Sequence, residues 1–274
     1  MNSSPRDDGA SVIVPLAPSE LTGLMDVLIL GGSSLGRALA AALAEAGLDV
    51  TTSLAGRTKT PRALPGEVRI GGFGGAEALS AWLGEQHPGC VVNAVHSFAT
   101  AISEHASTAC AATGTPLARL VSPSWHELAS SEQWIWVPDH DAAAAAVRTL
   151  PDPVLLTVGR QATAHYLGLG TRDITHRVID APAQQLPDSW RLLRARGPYT
   201  LAGERELMDA PGHRIATLVT KDSGGIRPDP KIQLAQQLGA HVVIVERPPQ
   251  TSQVPVLGDV DSAVHWIQET LGSR

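Results

Sequence analysis

Apolar residues along this chain recur in two alternating rhythms. Short unbroken runs, such as Val27-Leu28-Ile29-Leu30 and Cys90-Val91-Val92, read as strands buried on both faces. Between them the apolar side chains return every three or four positions, the spacing of one helix face. Strands are predicted at residues 26–30, 50–54, 68–70, 90–94 and 116–120. The first helix carries Leu35, Ala38, Leu39, Ala42, Leu43 and Ala46, and Gly47 stops it. A second helix carries Leu79, Trp82 and Leu83, and a third runs over residues 102–110 and ends near Gly114. A further set follows, with strands at 154–158, 175–179, 216–220 and 242–245, helices between them, and a last helix from about Asp259 burying Val260, Val264, Ile267 and Leu271. Such alternation calls for mostly parallel sheets with helices on both faces, an α/β chain.

Proline-containing residues 1–25 precede the first strand without periodicity and read as a disordered extension or an alternative start. The alanine-rich helix over 141–150 is followed by Pro151 and Pro153, where the crossing between domains is expected. The predicted division is an extension at 1–25, a cofactor-binding domain at 26–150, a substrate-side α/β domain at 151–258 and a C-terminal helix at 259–274.

At 274 residues, 43% hydrophobic and 18% charged, the chain has the composition of a well-cored protein large enough for two domains. A net charge of −6 offers no global basic field for nucleic acid or acidic lipid, so an anionic ligand has to be met by local cations. No apolar run approaches the roughly 18–20 residues that cross a membrane. Cys90 and Cys110 have neither disulfide nor metal-ligand spacing, which suits a reducing, cytoplasmic compartment, and no metal set is predicted. Oligomeric state is left open, with a monomer compatible.

The chemistry begins after the first strand, at Gly31-Gly32-Ser33-Ser34-Leu35-Gly36-Arg37. Glycines there permit a tight turn and let backbone N–H groups approach a phosphate, and the helix that follows offers the positive end of its dipole. A packing turn is the plain alternative; position at the first strand favours a dinucleotide. The end of the second strand selects which one. A site for NAD places an acid there to hold the ribose 2′-hydroxyl. This chain has Ser53-Leu54-Ala55-Gly56-Arg57-Thr58-Lys59, two hydroxyls near two cations and no acid, which suits the 2′-phosphate of NADPH. Gly71-Gly72-Phe73-Gly74-Gly75 reads either as a loop pressed against the adenosine half or as a structural turn.

Several enzyme classes are excluded. Short-chain dehydrogenases need Lys four residues after a catalytic Tyr, whereas Tyr166 and Tyr199 are followed at that distance by Gly170 and Gly203. There is no Gly-x-Ser-x-Gly elbow, no Walker phosphate loop, and no histidine pair at i, i+4 beside a Glu.

Taken together, residues 31–37, Thr52-Ser53-Leu54-Ala55-Gly56-Arg57, residues 69–75, Thr157-Val158-Gly159-Arg160, Arg196-Gly197-Pro198-Tyr199 and Thr220-Lys221-Asp222-Ser223-Gly224-Gly225 resemble, in order and spacing, segments of the precorrin-6A reductase family. One segment departs: where the family usually has Asp-Ala-Thr-His-Pro-Phe-Ala, this chain has Asn93-Ala94-Val95-His96-Ser97-Phe98-Ala99. The resemblance implies two Rossmann-like three-layer domains facing a central cleft, and NADPH-dependent reduction of a ring double bond of precorrin-6A in corrin-ring formation. It implies a cofactor site at Gly31, Gly32, Ser33, Ser34, Gly36, Arg37, Ser53, Arg57, Thr58, Lys59, Gly72, Phe73, Gly74 and Gly75. The polycarboxylate, tetrapyrrole-derived substrate needs cations, for which Arg37, Arg160, Arg196 and Lys221 are the candidates. His96, Lys221 and Ser223 are the catalytic candidates: His96 orients the nicotinamide, donates a proton or is structural, and Lys221 and Ser223 form an anion nest at the cleft, or their glycine neighbours serve packing. The departing segment keeps two alternatives in view: a reductase of another conjugated or imine-bearing metabolite, and a non-catalytic sensor of NADP(H).

Overall fold

The computed structural model describes residues 25–56, 63–249 and 253–273. The first unit contains β1 (Val27–Leu30), α1 (Ser34–Glu45), β2 (Val50–Leu54), β3 (Glu67–Ile70), α2 (Ala76–Gln86), β4 (Cys90–Asn93), α3 (Thr100–Thr113) and β5 (Leu117–Leu120). The second contains β6 (Ile135–Val137), α4 (His140–Val147), β7 (Val154–Leu156), α5 (Thr163–Tyr166), β8 (Ile174–Val178), β9 (Trp190–Arg194), α6 (Leu201–Met208), the small hairpin of β10 (Asp209–Ala210) and β11 (His213–Arg214), β12 (Thr217–Lys221), α7 (Pro230–Leu238) and β13 (His241–Val245). The chain finishes with β14 (Val256–Leu257) and α8 (Val260–Gly272).

The strands form two six-stranded sheets, ordered β14-β5-β4-β1-β2-β3 and β6-β13-β12-β7-β8-β9, with every pairing inside them parallel. The fold is therefore α/β with two Rossmann-like sheets, each reversing its strand order beside its central strand, β1 in one and β7 in the other. Strand alternation explains why the apolar runs are unbroken. Val27 and Ile29 pack with Leu39 and Leu43 of α1 on one face, while Leu28 and Leu30 pack with Leu79 and Leu83 of α2 on the other. Each such side chain, fully buried, contributes about 1.5–3 kcal/mol over leaving it in water.

The sheets divide the chain differently from the sequence reading. β6 and α4, expected in the first domain, belong to the second: β6 pairs with β13, and Ala143 and Val147 pack in that unit's core. The expected crossing near residue 150 thus falls inside the second unit, and the chain leaves the first sheet after Leu120. A three-residue strand whose partner lies more than 100 residues onward leaves no local periodicity to read. The C-terminal helix is no separate unit either. β14 pairs with β5, and Ala263 and Ile267 of α8 join the core of the first sheet. The extension proposed for residues 1–25 lies, but for Met25, outside the described residues.

Candidate active site

The turn after β1 is built as its glycines suggest. Gly31 N–H donates to the Ser53 carbonyl at 2.9 Å, which fixes the turn against β2. Gly32 has φ +129°, a backbone closed to most side chains. Ser33 caps α1, its Oγ accepting the Gly36 N–H at 3.0 Å. Gly36 lets α1 approach β4, since a Cβ there would stand 3.0 Å from the Ala94 Cβ. Ser34 opens the helix, Arg37 follows half-buried, and the first turn carries no acid to occupy its positive end.

Beside this turn, Ser53, the residue before the last of β2, is in register with Arg69 of β3, whose guanidinium reaches the Ser53 Oγ at 3.4 Å. Arg69 also donates to the carbonyls of Gly71 at 2.6 Å and Gly72 at 3.1 Å, and lies 3.8 Å over the Phe73 ring. Phe73 in turn meets Trp82 edge-on, and Gly74 leads to Gly75, which caps α2. Arg69 was not singled out as a site residue from sequence, yet it organises the glycine loop; its two-residue spacing from Gly71 was the available signal. Arg57, Thr58 and Lys59 lie outside the described residues.

The two sheets meet at their carboxyl edges. After β4, the Asn93 side chain donates to Ser103 Oγ at 3.0 Å and accepts from Val95 N–H at 3.4 Å, so the departing residue stabilises its own loop. The His96 ring is open to solvent, and its Nδ1 accepts the Phe98 N–H at 3.3 Å. Protein crowds its other sides. Its pKa is lowered to about 4, first by lost hydration, then by Lys221, Arg247 and Lys231, with Asp229 opposing. Phe98 reaches the second unit, where Lys221 Nζ stands 4.8 Å from its ring centroid and His140 at 6.3 Å. Lys221, at the end of β12, has its pKa lowered to about 8 by desolvation and by Lys231. Lys221 is thus charged at neutral pH but unusually ready to lose its proton, and it faces a neutral imidazole.

Ser223 donates only a long 3.5 Å hydrogen bond to the Lys221 carbonyl. The glycines beside it serve packing: a Cβ on Gly224 would overlap Arg247 and stand 2.4 Å from the Pro123 carbonyl. Arg247 ties the two crossing segments together. It pairs with Asp222 at 3.0 Å and donates to the carbonyls of Ser122 and Pro123 at 2.8 and 3.3 Å. Asp222 also accepts from Ser124 Oγ at 2.7 Å and Trp125 N–H at 3.2 Å.

Arg160 follows β7, the neighbour of β12, on the same edge as Lys221. Arg196 follows β9, three strand spacings away, roughly 14 Å. Its loop is anchored by Tyr199, which donates to the Ala195 carbonyl at 2.9 Å and stacks 4.1 Å under Arg177. Arg177 is locked by a buried pair with Glu204, both oxygens at 2.9 Å. The structure thus gathers His96 and Lys221 around Phe98, with Arg160 on the adjoining strand end and Arg196 at the far rim. Sequence reasoning missed Lys231, Arg247, Arg119 and His140 around the same cleft; Arg119 on β5 has its pKa lowered by desolvation and by Arg247.

Two parallel sheets, a glycine turn opening a helix at the first, and a cation-rich junction of their carboxyl edges define a protein of the two-domain Rossmann-like class with a turn of the dinucleotide-binding kind. Comparison with known proteins narrows this. The family described as "Precorrin-6x reductase CbiJ/CobK" matches residues 26–268. Precorrin-6A reductase of Rhodococcus erythropolis is 40% identical over 88% of this chain and 96% of its own length. That of Mycobacterium tuberculosis H37Rv is 38% identical over the same shares. The solved structure of CobK precorrin-6A reductase superposes with a TM-score of 0.80 at 32% identity, covering 90% of this chain and 97% of that one. The chain belongs to the precorrin-6x reductase family and is an oxidoreductase of cobalamin biosynthesis. No helix among the described residues is long and apolar enough to cross a membrane.

Proposed function

We propose that this chain reduces one ring double bond of precorrin-6A with NADPH. The observation that carries the reading is the junction of the two carboxyl edges, where His96 and Phe98 of one sheet meet Lys221 of the other beside the glycine turn. The turn fits a dinucleotide because nothing stands where a Cβ on Gly32 would project, and the capped helix end holds no acid. Gly31, Gly32, Ser33, Ser34, Gly36 and Arg37 would hold the pyrophosphate side. Ser53, Arg57, Thr58 and Lys59 would hold the 2′-phosphate, and Gly72, Phe73, Gly74 and Gly75, braced by Arg69, the adenosine side. Bound NADPH supplies the hydride.

The remaining work falls to the chain. Arg160, Arg196 and Lys221 meet substrate carboxylates along one sheet edge, where a charge-assisted bond gives both affinity and orientation. Lys221, charged at neutral pH with a pKa near 8, is the better proton source for the carbon next to the reduced one. His96 is neutral there and takes an orienting role. Ser223 lies close to Lys221 and lines the same turn.

The test is to incubate the protein with precorrin-6A and NADPH, following substrate absorption and cofactor oxidation together. Coupled loss is expected. NADPH binding without turnover would move the substrate to another conjugated metabolite. Arg57→Ala is expected to weaken NADPH far more than NADH, and equal losses would remove the 2′-phosphate assignment.

A further inference from the structure

His140 opens α4 at the carboxyl edge of the second sheet, close to the Phe98 ring contributed by the first. Its Nδ1 lies 2.9 Å from the hydroxyl of Tyr166, a side chain with no exposed surface. A buried phenol must donate its O–H, and among the described residues His140 is the partner of that hydroxyl. Nδ1 is therefore the acceptor, and a neutral ring carries its proton on Nε2. His140 itself is only half-buried, in contrast to the sealed Tyr166.

We propose that His140 is a substrate-contacting residue at this junction, held by Tyr166 in the Nε2–H form so that it donates a hydrogen bond to a substrate carboxylate that Lys221 also meets. Tyr166 is then a positioning residue. The inference rests on reading the cleft as the substrate site.

The charged groups facing the ring are Lys221 on β12, His165 on α5, and Asp139 and Asp141 at the start of α4. Desolvation, Lys221 and His165 together outweigh the two acids and hold the His140 pKa at about 4. The ring is thus neutral across the working range. Lys221 brings the charge and His140 a directed donor, which together discriminate a carboxylate from an uncharged substituent.

Glutamine and asparagine variants separate the two ring nitrogens, because a Gln amide falls near the place of Nε2 and an Asn amide near that of Nδ1. H140Q is expected to keep kcat/KM within about threefold. H140N and H140A should lose about tenfold or more, chiefly in KM, with NADPH affinity unchanged. Imidazole nitrogen NMR of the intact protein should show His140 as the Nε2–H tautomer. Tyr166→Phe should let the Nδ1–H tautomer appear in the same spectrum, because Nδ1 then loses the hydroxyl that donates to it. A wild-type Nδ1–H tautomer, or H140Q no better than H140A in an otherwise active enzyme, overturns the contact. An inactive wild type that still binds NADPH overturns the substrate reading instead, and the contact with it.

Discussion

Lys221 shows how far a residue's chemistry depends on neighbours that its local sequence does not contain. An ordinary lysine is a poor proton donor at neutral pH because it holds its proton to a pKa of about 10.4. Here burial and repulsion from Lys231 bring that down to about 8. The acid form is the active one, so the rate should be full at pH 7 and fall as pH rises through about 8. A pH–rate profile checks this, and a profile flat to pH 10 would remove Lys221 as donor. Lys221→Arg keeps the positive charge but does not release a proton in this range, so substrate KM should hold while kcat drops by about 10²–10⁴-fold. That Lys221 lies near a second-unit glycine pair was legible in the sequence. Its coupling to Phe98 and Lys231 was not, because those partners are brought to it by folding.

At the level of elements, α1 is the part of the fold most fully written in its own residues. The apolar stripe, the Ser33 cap and Gly47 as a stop at φ +79° lie within one short stretch. Only Gly36 answers to a distant element, the end of β4. Gly36→Val should push α1 away from Ala94, costing about 1–3 kcal/mol of stability by overpacking and weakening NADPH binding. Denaturation and cofactor titration measure the two effects separately; unchanged values for both would contradict the close approach. Two of the elements that escaped the reading, β6 and β14, are edge strands of three and two residues. They are specified by the sheet that accepts them, since a strand this short carries too few alternations to declare itself.

The whole molecule is held at its waist by residues that no motif flags. The Asp222 carboxylate has almost no exposed surface, and with Arg247 it ties the segment leaving the first sheet to the segment returning to it. Removing one partner of such a pair strands the other charge, so Asp222→Ala should cost about 3–5 kcal/mol in unfolding free energy. It should also raise substrate KM, since the clamp sets how His96 and Lys221 face each other. Chemical denaturation alongside steady-state kinetics tests both, and an unaltered KM would show that the waist does not govern the cleft.

Local order was the sequence's own to determine: strand–helix alternation, the glycine turn with its capped helix, and the absence of an acid at the end of β2. Each of these depends on residues a few positions apart, where backbone geometry leaves few choices. The family could be recognised for the same reason, its segments being short and contiguous. Tertiary structure alone decided which sheet β6 and β14 would complete, that α8 returns to the first unit, and that His140 and Tyr166 stand across from Phe98. These pairings join residues tens to more than a hundred positions apart. They are chosen by which edge is open and which face is apolar once both sheets exist, and no short stretch of chain holds that information.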